Sequence, residues 1–130
     1  MTTWLQQPKE ISAITLFVDD LAACREFYLN VFGLPVYYEE AVSAVFKFGP
    51  TLINLLQQDS APELIAPAKV ASSDAGSRFQ FTITVVGIDD ACRELEAKGI
   101  KFLNGPMDRP WGIRTAAFSD PAGHIWELAE

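Results

Sequence analysis

The chain of 130 residues has the length of one ordinary domain and can bury about two-thirds of the surface that its unfolded form exposes. Apolar residues make up 49% of the chain, which argues against an intrinsically disordered or fibrous protein. Seventeen acidic and ten basic side chains give a net charge of −7, which argues against nucleic-acid binding because such binding requires neutralised phosphates.

The sequence also bears on the cellular compartment. No apolar run approaches the roughly 20 residues of a membrane-spanning helix, and the first residues do not resemble a secretion signal. Cys24 and Cys92 lack the spacing of a zinc knuckle, so we expect reduced, partly buried thiols. These patterns predict a cytoplasmic protein without a membrane partner, and its acidic charge favours a cationic ligand.

The first predicted elements are a strand and a helix. Residues 11–18 are β-branched and apolar, as is typical of a buried strand. Asp19 or Asp20 then suits the N-cap of a helix, because a short carboxylate accepts hydrogen bonds from free backbone N–H groups. Apolar residues recur at helical spacing over residues 21–32, and Gly33 is suited to end that helix.

Three short strands are predicted to follow this helix, over residues 36–40, 44–48 and 52–57. The Gly49-Pro50 pair between the last two predicts a turn. The first half of the chain therefore predicts the order strand, helix and three strands.

The second half repeats this order. Residues 79–86 predict a strand and residues 87–100 a helix that ends near Gly99, with Leu21 and Ile88 in equivalent places 67 residues apart. Three more strands follow, at residues 101–103, 113–119 and 124–129, with a turn at Asp120-Pro121-Ala122-Gly123 between the last two.

The duplication predicts one α+β domain over residues 1–130, made of two tandem βαβββ modules. Module one spans residues 10–57 and module two spans residues 78–130. The Ala-, Pro- and Ser-rich residues 58–77 are interpreted as a linker with some mobility.

Two segments carry a resemblance to a known family. The phrase ITLFVDDLAACREFYLNVFGLPV at residues 14–36 and the ending FSDPAGHIWELAE at residues 118–130 resemble the glyoxalase/bleomycin-resistance/dioxygenase superfamily, the vicinal-oxygen-chelate proteins. The resemblance covers essentially the whole chain. It implies two modules that curl into an incomplete barrel, a homodimer, and small-molecule ligands bound within the cups of the sheets.

The resemblance also implies four positions that hold a divalent cation in metal-using members, on the first and last strand of each module. In this chain Ala13 and Gln80 occupy the first-strand positions, and Asn54 and Glu127 the last-strand positions. Alanine offers no donor atom, and tight Zn²⁺ or Ni²⁺ sites favour imidazoles or several carboxylates. We therefore expect no tightly bound metal, the alternative being a weakly held divalent cation on Gln80 and Glu127.

A segment near the end of the chain supplies candidate ligand-binding residues. Residues 108–114 resemble the Pro-Trp-Gly loop of bleomycin-resistance-like members, which suggests Trp111 and Arg114 as ligand contacts. Trp111 could instead pack the barrel rim and Arg114 pair with a surface carboxylate. Alternation places Phe46 and Phe48 on one strand face, where they would line either core or pocket, and Gln80 is a further candidate contact.

Two side chains are candidates for acid–base chemistry. Glu127 is the best catalytic candidate, because an inward carboxylate in an apolar cup can act as a general base. His124, the only histidine, follows the turn glycine and points away from Glu127, so it is interpreted as a structural residue.

Three hypotheses for function follow. The first is a dimeric binder of a small cationic or aromatic molecule without a tightly bound metal. The second is a divalent-metal-dependent lyase, isomerase or dioxygenase that uses Glu127 and Gln80. The third is an accessory module that binds another protein. Whether the chain is an enzyme stays open at this level, because fold alone does not assign function.

Overall fold

The computed structural model describes residues 3–130. Its strands and α-helices, in chain order, are β1 (Ala13–Val18), α1 (Leu21–Phe32), β2 (Tyr38–Glu40), β3 (Ser43–Phe48), β4 (Thr51–Gln57), α2 (Pro62–Ile65), β5 (Gln80–Thr84), α3 (Ile88–Ala97), β6 (Asn104–Asp108), β7 (Arg114–Ser119) and β8 (Ile125–Ala129). Short 3₁₀ turns lie at Trp4–Gln6 and Gln58–Ser60. Within these residues, none of the helices is long and apolar enough to cross a membrane.

The strands form two four-stranded sheets with the same topology. The first sheet has the order β1-β4-β3-β2 and the second β5-β8-β7-β6. In each sheet the first strand of the module pairs in parallel with the last strand, and the remaining pairs are antiparallel. The prediction of an α+β fold built from two βαβββ modules is therefore confirmed.

The ends of α1 follow the predicted capping chemistry. The Asp20 side chain accepts a hydrogen bond from the Ala23 backbone N–H at 3.0 Å, which satisfies one of the free donors of the first turn. Gly33 ends the helix with φ +66°, a backbone conformation that residues with a Cβ rarely adopt. Its N–H donates to the Leu29 carbonyl.

Helix α3 is capped in a different way, by a residue 42 positions further along the chain. The Glu130 carboxylate accepts hydrogen bonds from the backbone N–H groups of Gly87 and Ile88, at 2.7 and 2.9 Å. These bonds lower the pKa of Glu130. The side chain that follows β8 thus stabilises the helix N-terminus, where a negative charge is favourable.

The predicted strand at residues 101–103 is wrong. The edge strand β6 begins at Asn104 and contains Gly105 and Pro106, with a register shift between Asn104 and Met107. Gly105 has φ +82°, and a Cβ at this position would lie 2.3 Å from the Thr115 carbonyl oxygen. Glycine at position 105 permits this close approach of β6 to β7. A Gly-Pro pair is usually interpreted as a strand breaker, so the sequence did not predict a strand here.

The two sheets share one hydrophobic core. Alternate residues of each sheet, together with the apolar sides of α1 and α3, form a single cluster. Phe48 of the first sheet stacks on Trp126 of the second at 5.0 Å between ring centroids. We call the side of each sheet turned to this cluster its core face and the opposite side its outer face.

Candidate functional site

The four metal-ligand positions implied by the resemblance lie on the outer faces. Ala13 and Asn54 occupy the outer face of the first sheet, and Gln80 and Glu127 that of the second. Because the shared core lies between these faces, one chain does not bring the four side chains together. A site that used all four would require a second copy of the chain.

The outer face of the second sheet carries Glu127 in a row of residues that runs across the strands. Thr82, Glu127, Ala117 and Asn104 are in register on β5, β8, β7 and β6. The Thr82 hydroxyl donates to the Glu127 carboxylate at 3.0 Å. The hydrogen-bond partner of the candidate catalytic Glu127 is therefore Thr82 and not Gln80. The sequence analysis did not identify this threonine.

The first sheet has the equivalent arrangement without a carboxylate. Asn54 is in register with Thr15, and its Nδ2 donates to the Thr15 hydroxyl at 3.4 Å. Within residues 3–130, the Asn54 Oδ1 atom is buried and accepts no hydrogen bond. Such an unsatisfied acceptor costs about 1–3 kcal/mol.

The donor chemistry of the four positions does not fit a tightly bound divalent metal. Ala13 contributes no donor atom, Asn54 and Gln80 contribute neutral amides, and Glu127 supplies the single carboxylate. The described part of the chain holds no cluster of three or more His, Cys, Asp or Glu side chains arranged for metal binding. Zn²⁺ and related ions favour several charged or imidazole ligands, which these positions lack.

A second charged group on the outer face of the second sheet was not identified from the sequence. The Arg109 guanidinium donates through Nε to the Thr115 hydroxyl at 2.8 Å and through Nη2 to the Asn104 side-chain oxygen at 2.9 Å. Thr115 and Asn104 share the face of Glu127, because Ala117 of β7 is in register with Glu127 on β8 and with Asn104 on β6, and Thr115 is two residues from Ala117. The register shift in β6 places Asn104 on the same face as Thr115, and no local sequence pattern predicts this shift.

The two candidates of the Pro-Trp-Gly segment have different surroundings. Trp111 lies at the tip of the hairpin between β6 and β7, with 69% of its surface exposed. Arg114 pairs with Asp89 at 2.9 Å and Asp108 at 3.1 Å, and these hydrogen bonds raise its pKa further. Trp111 therefore presents a free aromatic surface, whereas the Arg114 guanidinium is already occupied by two carboxylates.

The aromatic candidates of β3 also separate. Phe46 is fully buried in the core, so its side chain presents no surface to a ligand. Phe48 lines a cleft of about 810 Å³ between the two modules, together with Phe81 and Trp126. This cleft therefore lies between the core faces, and none of the four metal-ligand positions lines it.

His124 takes part in a buried polar network between the modules. The Tyr28 hydroxyl donates to Asp120 at 2.9 Å and accepts from the Trp126 indole N–H at 3.1 Å. The His124 ring lies 2.9 Å from the same carboxylate. Burial and the adjacent Asp120 raise the pKa of Tyr28, which keeps it a donor. This geometry holds the turn before β8 and matches the structural interpretation of His124.

The two cysteines do not offer a nucleophile at neutral pH. Burial and the nearby Asp120 raise the pKa of the Cys24 thiol to about 12, and burial raises the pKa of Cys92. Both thiols are free and buried, which leaves them protonated and shielded from reagents.

Comparison with known proteins identifies the family. The model of the Glyoxalase/Bleomycin resistance protein/Dioxygenase superfamily matches residues 10–128. The protein YraH of Bacillus subtilis is 34% identical over 119 residues, covering 88% of this chain and 93% of that protein.

Solved structures agree with this match. The crystal structure of a glyoxalase/bleomycin resistance protein/dioxygenase from Nocardioides superposes with a TM-score of 0.85 at 26% identity, over 95% of this chain and 83% of that one. A lactoylglutathione lyase from Agrobacterium tumefaciens shares the fold, with a TM-score of 0.71 at 24% identity over 95% of both chains. The chain belongs to the glyoxalase/bleomycin resistance protein/dioxygenase superfamily.

Proposed function

We propose that this protein binds a small organic molecule on the outer face of the second sheet, in a groove completed by a second copy of the chain and without a tightly bound metal. The observation that carries the proposal is the pair of charged groups on that face. Glu127 is oriented by Thr82, and Arg109 by Thr115 and Asn104. Convergent polar groups fixed by neighbouring side chains are typical of small-molecule sites.

The placement of the two outer faces supports the proposal of a homodimer. The family positions of the two modules lie on opposite sides of the core, so only a second chain can face Gln80 and Glu127 with Ala13 and Asn54. Exposed Trp111 would lose solvent contact at the rim, and aromatic residues are enriched in interfaces.

The ligand is expected to contain an aromatic or cationic group. Glu127 is half-buried, and a cation beside it would be attracted both by that carboxylate and by the net charge of −7. Trp111 offers an exposed ring that can stack on an aromatic or cationic group. Neither interaction requires a metal ion.

Thermal unfolding in the presence of a library of cationic and aromatic compounds tests the proposal. A ligand should raise the melting temperature in proportion to the logarithm of its concentration. Glu127→Gln should weaken the binding of cationic ligands about tenfold. Glu63→Gln, on the exposed surface of α2, is the matched control and should leave the affinity unchanged. The proposal fails if no compound stabilises the protein, or if Glu127→Gln binds every ligand as well as the native protein.

The same assay separates the binder from the metal-dependent alternative. Mn²⁺, Ni²⁺, Zn²⁺ and Fe²⁺ are added singly, and bound metal is measured after gel filtration. The binder predicts ligand stabilisation that is unchanged by EDTA. Metal bound at one equivalent per chain, lost in Glu127→Gln, would favour the metal-dependent lyase, isomerase or dioxygenase instead.

A further inference from the structure

The guanidinium of Arg109 is held in place by hydrogen bonds to neutral side chains. Its two hydrogen bonds go to the hydroxyl of Thr115 and the amide oxygen of Asn104. Thr115 is 1% exposed, and the Arg109 side chain is half-buried on the outer face. These bonds fix the plane of the guanidinium and leave its positive charge without a counterion.

In the described part of the chain, three of the five arginines pair with a carboxylate, and Arg109 does not. Arg25, Arg93 and Arg114 all form ion pairs with Asp or Glu side chains. Within residues 3–130, no carboxylate lies within 4.0 Å of the Arg109 guanidinium. A guanidinium has five N–H donors, of which Arg109 directs two to described partners.

Glu127 and the two partners of Arg109 lie on the same face of the second sheet, and Glu127 forms no ion pair with Arg109. Ala117 lies between them in the row across the sheet, in register with Glu127 on one side and Asn104 on the other. Adjacent strands are about 4.8 Å apart, so one strand, β7, separates Glu127 on β8 from Asn104 on β6. Thr82 holds Glu127 on the β5 side of this position, and Asn104 holds Arg109 on the β6 side.

We propose that Arg109 binds an oxyanion group of the ligand, a carboxylate or a phosphate, with Thr115 and Asn104 as positioning residues. The planar donor edge of a guanidinium matches two oxygens of such a group, and fixing the guanidinium in advance reduces the entropy lost on binding. This inference rests on the proposed function, because it assigns the ligand chemistry of the same outer face.

Titration of the native protein with inorganic phosphate, and separately with benzoate, tests the inference. The readout is the ¹⁵N–¹H resonance of the Arg109 Nε group, followed at constant ionic strength with sodium chloride as the reference. We expect a saturable shift of this resonance with either oxyanion. Arg109→Gln should weaken binding of the oxyanion at least tenfold, and Arg93→Gln, which removes the same charge from the exposed surface of α3, should leave it unchanged.

The result that overturns the inference is an Arg109 resonance that responds to phosphate and benzoate no more than to chloride, or equal affinity in Arg109→Gln. If Arg109→Gln does not fold, the oxyanion affinity of Arg109→Lys and the Arg109 resonance of the native protein still test the inference. Lysine keeps the positive charge but lacks the planar pair of donors of the guanidinium. Library compounds that carry a carboxylate or phosphate and bind without shifting the Arg109 resonance would overturn this inference alone. Phosphate binding at Arg109, with no binding of benzoate or of any library compound, would overturn only the proposed function.

Discussion

Tyr28 shows how one hydroxyl group joins the two modules. It comes from α1 of the first module, donates to Asp120 before β8, and accepts from Trp126 of the second sheet. The equivalent place beside α3 holds Leu95, which has no hydroxyl and lines the 810 Å³ cleft with Gly49. The internal duplication is therefore asymmetric: one side is closed by hydrogen bonds and the other is open.

Tyr28→Phe should destabilise the protein by about 1–3 kcal/mol, because the Trp126 indole N–H loses its acceptor and Asp120 loses a donor in a buried place. Urea denaturation followed by tryptophan fluorescence measures this change. Tyr38→Phe is the control, since the Tyr38 hydroxyl bonds to Glu40 on the exposed surface, and its effect should stay within about 0.5 kcal/mol. Equal effects of the two substitutions would contradict a stabilising role for the network.

The hairpin of β6 and β7 depends on a glycine at one position. Gly105→Ala should destabilise the protein by more than about 3 kcal/mol, because the added Cβ would lie 2.3 Å from the Thr115 carbonyl oxygen. Gly112→Ala, in the same hairpin, keeps the strain of a positive φ but meets nothing within 4 Å, so its effect should be about 1–2 kcal/mol. Similar denaturation midpoints for the two variants would show that the close approach is unimportant.

Helix α3 has a cap that depends on pH. Backbone hydrogen bonds from Ile88 and Gly87 lower the pKa of Glu130 in the folded protein. The stabilisation is therefore fully present above the ordinary glutamate pKa of about 4.3 and is lost as the pH falls through the lower folded value. The melting temperature of the native protein should exceed that of Glu130→Gln at pH 7, and this difference should shrink below about pH 4.

Glu63→Gln provides the reference for this measurement, since Glu63 is exposed on α2 and its substitution should leave the melting temperature unchanged throughout. A difference between native protein and Glu130→Gln that stays constant from pH 7 to pH 3 would contradict the charged cap.

The sequence predicts those elements whose causes are local. Asp20 and Gly33 bound α1 because capping depends on residues within one turn, and both predictions are confirmed. The position of β6 depends on the contact between Gly105 and Thr115, which forms only when β6 pairs with β7, and the predicted strand at residues 101–103 is wrong. Arg109 could not be assigned for the same reason, since its partners meet only when the bulge forms.

Alternation along a strand likewise has a limited reach. It correctly places Phe46 and Phe48 on one face of β3, yet the first is core and the second borders the cleft. That difference arises from how the two modules pack against each other. Glu127 could be assigned from its place in the sequence. Its hydrogen-bond partner Thr82 could not, because that assignment requires knowledge of the register between β5 and β8.

At the scale of the whole molecule, the proposed dimer can be tested through the first sheet. The native protein should have twice the chain mass in light scattering after gel filtration. Ala13→Arg adds a charged side chain to the outer face of the first sheet and should give monomers. Ala22→Arg, on the exposed side of α1, introduces the same side chain away from that face and should remain dimeric.

A native protein that is monomeric at all concentrations would contradict the dimer. Dimers of unchanged affinity in Ala13→Arg would show that another surface holds the copies together, because an unpaired charge within an interface is strongly unfavourable.

The strand order of the two sheets has a consequence for how the chain folds during synthesis. In each sheet the last strand of the module lies between the first strand and the third, as β4 and β8 do. The parallel pairs β1–β4 and β5–β8 therefore close only after the intervening helix and strands have been made, which favours slow folding. Trp126 of β8 also packs on Tyr28 and Phe48, so the first module completes its core only when β8 emerges from the ribosome.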